Sequence, residues 1–190
     1  MSNNQIFPTM DARKERLVRE YGNHFATGDE PAVYVGTYGK YNKGSLFGEW
    51  VDITSFNDYD SFIEYCRELH SDEEDPELMF QDFENFPRVW YEESGFDEDV
   101  FDMIIQYHEA EDPDAIDAYL RCTGAKDISD FEDRYLGHWD SKEDFAWHIF
   151  EECYADTLPE FAQRYFDIEA FARDLFLDYF EEDGYVFNPC

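Results

Sequence analysis

Three stretches in the second half of the chain carry apolar residues at intervals of three and four. Between Asp97 and Glu109, Val100, Phe101, Ile104, Ile105 and His108 share one helical face, and Asp97, Glu98, Asp99, Asp102 and Glu109 occupy the others. From Ser141 to Cys153 the stripe is Phe145, Ala146, Ile149, Phe150 and Cys153, with Glu143, Asp144, Glu151 and Glu152 outside it. From Asp167 to Leu177 it is Ile168, Phe171, Ala172, Leu175 and Phe176, with Glu169, Asp174 and Asp178 facing outward. Asp112 followed by Pro113 predicts a further helix start, and Ser141 followed by Asp144 predicts a capping-box-like one.

The first half alternates instead. Ala32-Val33-Tyr34-Val35-Gly36 and Leu46 to Asp52 predict two strands, joined by a turn over Gly39 to Gly44. A helix over Tyr59–His70 and a strand over Leu78–Glu84 complete a small α+β unit. Tyr185-Val186-Phe187 predicts a last strand after the turn at Gly184. The fold class expected is α+β, as an elongated chain of three small modules with a strongly acidic surface. They are an N-terminal antiparallel sheet plus helix (31–95), a central helical module (96–136) and a C-terminal α+β module (137–190). Residues 1–30 form a loosely attached extension carrying one helix, Ala12 to Tyr21.

Composition changes the picture through charge. Asp and Glu number 47 against 14 Lys and Arg, a formal charge of -33. Such acidity with few apolar residues would signal disorder, but aromatics make up 19% of the chain, ample material for packed cores. Residues 1–60 hold 9 acids and 6 bases, net -3, and residues 61–190 hold 38 acids and 8 bases, net -30. Like charges at helical spacing are destabilising, and few Lys or Arg offset them, so a functional reading of the charge outweighs plain solvation. DNA carries one charge per roughly 1.7 Å of axis, so 33 charges equal the phosphates of roughly 16 base pairs. The partner expected is basic; nucleic acid would be repelled. Four scattered cysteines suit free thiols in a reducing compartment, and no apolar run has signal-peptide or membrane-spanning length. The expectation is a soluble cytoplasmic protein without membrane contact.

Catalytic readings fare worse. Pro113-Asp114 with Asp140-Ser141-Lys142 formally matches a metal-dependent nuclease pattern, but both segments read as helix starts. His108 with Glu111 and His148 with Glu151 have metal-ligand spacing without a third partner, and His108 reads better as a core residue. No phosphate loop or nucleophile elbow is present. The expectation is no enzyme, no cofactor and no metal. The candidate partner-binding residues are Asp97, Asp99, Asp102, Asp114, Asp117, Glu143, Asp144, Glu151, Glu152, Asp174 and Asp178. Tyr165, Phe171 and Trp139 read as core or dimer packing.

Several ordered motifs resemble the ArdA antirestriction family. Val33-Tyr34-Val35-Gly36 through Tyr41-Asn42-Lys43-Gly44, then Gly48-Glu49-Trp50-Val51-Asp52, is similar to its first hairpin. Phe80-Gln81-Asp82-Phe83-Glu84 resembles its Ile-His-Asp-Tyr-Glu strand, departing at Phe80, Gln81 and Phe83. Tyr135 to Ser141, with Asp144-Phe145-Ala146 and Glu151-Glu152, resembles the opening of its C-terminal module. Leu158-Pro159-Glu160 and Tyr165 to Leu175 are the most specific match. The resemblance runs from about residue 31 to the C-terminus. It implies a DNA mimic of mobile genetic elements that occupies the DNA-binding groove of type I restriction-modification enzymes, contacting methyltransferase and specificity subunits. It also implies a homodimer formed through the C-terminal module, with about twice the charge. The competing reading is an acidic protein that sequesters other basic DNA-binding host proteins.

Overall fold

The computed structural model describes residues 10–189, which pack as two compact units, 10–110 and 111–189. In the first, β1 (Ala32–Thr37) lies between β2 (Glu49–Asp52) and β3 (Leu78–Glu84) in an antiparallel sheet of order β2-β1-β3. Val33 is opposite Val51 on one side and Phe83 on the other. The β1–β3 register slips between Tyr34 and Val35, leaving Gln81 as the bulged residue. The predicted turn between β1 and β2 contains a short helix, α2 (Tyr38–Tyr41), whose Lys40 N–H donates to the Thr37 hydroxyl.

Helix α3 (Tyr59–Leu69) starts where the Asp58 carboxylate accepts the Ser61 N–H, and it buries Phe62, Tyr65, Cys66 and Leu69. Phe62 is the centre of the core, with ring centroids of Phe80, Phe96 and Phe101 all 5.8–5.9 Å away. Helix α4 (Glu98–Glu109), capped by Asp97, contributes Phe101 and Ile104 to this core. His108 is exposed, which corrects its reading as a core histidine: helical phase put it on the stripe, but burial along α4 stops at Ile104. Helix α1 (Met10–Tyr21) packs against α3 with Leu17 fully buried, so the expectation of loose attachment is also corrected. The first nine residues of that extension lie outside the described residues.

The second unit has its own antiparallel sheet of order β4-β6-β5, from Tyr135–His138, Tyr185–Phe187 and Phe180–Glu182. Helix α5 (Pro113–Thr123) packs on β5 and β6, with Ile116, Tyr119 and Leu120 buried. Asp112 caps its start, Pro113 is its first residue, and Gly124 ends it at φ +67°, where a glycine has no Cβ to clash. The short α6 (Phe131–Arg134) leads into β4. Helix α7 (Lys142–Cys153) buries Phe145, Ala146 and Phe150 and packs against α9 (Ile168–Leu175), with the short α8 (Glu160–Gln163) between them in sequence. Cys153, expected in the buried stripe, is exposed in the final residue of α7, and Ile149 is half-buried. The central stretch 96–136 thus places α4 in the first unit and α5 and α6 in the second.

Candidate functional site

The outward carboxylates are set by the same devices that start the helices. Asp97 accepts the Val100 N–H at 3.1 Å, and Asp99 and Asp102 follow on the exposed side of α4. In α7, the Ser141 hydroxyl accepts the Asp144 N–H at 3.1 Å and donates to the Asp144 carboxylate at 2.6 Å. That reciprocal cap holds Glu143 and Asp144 at one end of the helix. Glu151 and Glu152 occupy its last turn, about 12 Å further along at 1.5 Å per residue. Asp114 and Asp117 lie on the first half of α5, and Asp174 and Asp178 at and just beyond the end of α9.

Three of the eleven expected residues belong to the first unit and eight to the second. All are exposed except Asp117, which is half-buried. Four of the six bases of the second unit pair with other acids. Arg121 pairs with Glu182 and Asp183 at 3.2 and 2.7 Å, Lys142 with Glu181 at 3.3 Å, Arg134 with Asp130, and Arg164 with Glu160. Of the expected residues, Glu152 faces His148 at 3.8 Å. The local field is negative enough to be felt by neighbouring phenols. Burial and then the charge of Asp97 hold the Tyr59 hydroxyl above its ordinary pKa. Burial and then Asp112, which accepts the Tyr185 O–H at 3.2 Å, raise Tyr185, with Asp114 adding to it.

The nuclease-like segments occupy helix starts: Pro113 opens α5, and Ser141 and Lys142 open α7. Among the described residues, no group of three His, Cys, Asp or Glu side chains is placed to hold a metal ion, and no helix is long and apolar enough to cross a membrane. Cys66, Cys122 and Cys153 are free thiols. Phe171 and Trp139 are half-buried in ring contacts with Tyr154 and Phe166, and with Phe145 and His148. Tyr165 is 86% exposed, and it is joined in exposure by Phe161 at 71% and Leu177 at 80%. Helical phase did not single out Phe161 or Leu177, because in a chain this rich in aromatics the periodicity alone does not separate core from surface.

Carboxylates fixed on helices and carried by aromatic cores suit the binding of a cationic protein partner. The protein-family model described as "Antirestriction protein (ArdA)" matches residues 33–187. The chain belongs to the ArdA antirestriction protein family, whose members inhibit restriction and are not known as enzymes. No curated protein matches it.

Proposed function

We propose that this protein is a DNA mimic that occupies the DNA-binding groove of type I restriction-modification enzymes. It blocks restriction and, more weakly, modification of incoming DNA. The observation that carries this reading is the set of helix-borne carboxylates: ten of the eleven are exposed, and Arg121, Arg134, Lys142 and Arg164 pair with acids outside the set. Enzyme Lys and Arg that normally meet phosphate pair with these carboxylates instead, so binding weakens as salt rises. Exposed ion pairs are individually worth about 0–1 kcal/mol, so affinity is spread over many acids.

Further parts of the proposal are cytoplasmic action, carriage on a mobile element and a homodimer formed through residues 137–190. The exposed Phe161, Tyr165 and Leu177 supply apolar surface for that contact. A dimer carries the charge of roughly 33 base pairs. The test is competition: the protein should displace a labelled duplex from a purified methyltransferase–specificity complex, with an inhibition constant that rises with salt. Pull-down from a host lysate that recovers only small basic nucleoid proteins, with no duplex displacement, would sink the restriction target. It would favour general sequestration of basic proteins.

A further inference from the structure

The residues ahead of the family-matched stretch 33–187 are built into the first unit. Helix α1 grips the C-terminal end of α3, where the last carbonyls lack helical partners. Arg13 is 4% exposed; it donates to the Leu69 carbonyl at 3.0 Å and pairs with Asp72 at 2.6 Å. Arg16 donates to the Glu68 carbonyl at 3.1 Å and pairs with its carboxylate at 3.0 Å. From α1 the chain runs along β2. Phe25 forms an antiparallel bridge with Val51, the Ala26 N–H donates to the Trp50 carbonyl at 3.1 Å, and the Asp52 N–H donates to the His24 carbonyl at 2.9 Å. The His24 ring stacks on Phe56 at 4.1 Å, and Tyr21 and Phe25 close on Tyr65. The return turn is fixed by Glu30, whose carboxylate accepts from the Thr27 N–H and O–H and the Gly28 N–H, and by Asn85, whose amide donates to the Gly28 and Glu30 carbonyls.

In the order β2-β1-β3, β2 is an outer strand, and residues 24–26 cover its outer side. An uncovered outer strand presents unpaired N–H and C=O groups to any extended chain. Charge is one common guard of such an edge; here the outer side of β2 is covered by the backbone of residues 24–26. We propose that residues 10–31 are an edge guard: a strap, anchored by α1, that occupies the outer side of β2 and keeps it from pairing with a strand of a second copy of this chain. This proposal does not depend on the restriction target.

Two full-length variants test it. Ala26→Pro removes the N–H donated to Trp50 and leaves α1 intact; Leu17→Ala loosens the anchor and leaves the strap sequence intact. In both, amide exchange at Asp52 should rise roughly tenfold, the loss of about one hydrogen bond's worth of protection, and more than at the β1 amides. Light scattering should show concentration-dependent species larger than any formed by the unaltered protein. Ala26→Val, which keeps the N–H, should change neither. Unchanged Asp52 exchange in either variant, an equal rise at Asp52 and in β1, or an unaltered size distribution would overturn the proposal.

Discussion

Replacing Glu151 and Glu152 together by Gln should make the second unit more stable and a poorer inhibitor. Both acids sit in the last turn of α7, at the negative end of the helix dipole, and that turn holds no basic residue. A carboxylate there costs about 0.3–1 kcal/mol, so removing two relieves about 0.6–2 kcal/mol. The loss of the exposed His148–Glu152 contact at 3.8 Å subtracts little. A net gain of about 1 kcal/mol corresponds to a Tm rise of roughly 4–8 °C for a unit of this size. Two exposed pairs with the partner at about 0.5 kcal/mol each make binding roughly fivefold weaker at low salt, with a shallower salt dependence. Glu143→Gln with Asp144→Asn is the mirror experiment. Those acids lie at the favourable end, and Asp144 also completes the Ser141 cap, so stability and binding should fall together. Thermal scans followed by Trp139 and Trp147 fluorescence give the first quantity, and titration into the methyltransferase complex gives the second. If Glu151→Gln/Glu152→Gln fails to raise Tm, the dipole argument is wrong; if it raises Tm and leaves affinity and salt slope untouched, these acids are not part of the binding surface.

Other outcomes follow from single sites. Any one of Asp97, Asp99, Asp102, Asp114, Asp174 or Asp178 changed to Asn should weaken inhibition no more than about fivefold, measured in the duplex-displacement assay. Ser141→Ala removes both cap bonds and should cost about 0.5–2 kcal/mol in thermal denaturation. Phe150→Ala, at a fully packed position in α7, should cost about 3–5 kcal/mol. His70 is buried between the Lys40 ammonium, 2.8 Å from Nδ1, and the Val35 carbonyl, 3.1 Å from Nε2. Burial first, and Lys40 next, push its pKa from 6.5 down to about 4. The unfolded chain therefore takes up a proton that the folded one refuses. Stability is complete above pH 6.5 and is lost as pH falls toward 4, by about 3 kcal/mol in all. His70→Gln should flatten that pH dependence in denaturation followed at Trp50 and Trp90, and an NMR titration midpoint of the His70 ring near 6.5 would refute it.

What the sequence determined by itself is local. Caps at Asp112 and Ser141 announce two helices, because each side-chain oxygen satisfies an N–H three residues on, within the same short segment; Asp58, Asp97 and Asp167 cap three more in the same way. The outward acids were legible for the same reason: helical phase assigns a face without reference to any partner. Tertiary structure decided the rest. β4 and β5, four and three residues long, carry too little periodicity to be read, and exist as strands through pairing with β6 nearly fifty and three residues away along the chain. His108 and Cys153 kept the right phase and lost burial, since phase says which way a side chain points and not whether anything lies over it. The grip of Arg13 on Leu69 and Asp72, and of Lys40 on His70 and Asp72, joins residues 30 to 59 positions apart. No local pattern marks such contacts, because their stability comes from burial that exists once the sheet and α3 have closed over them.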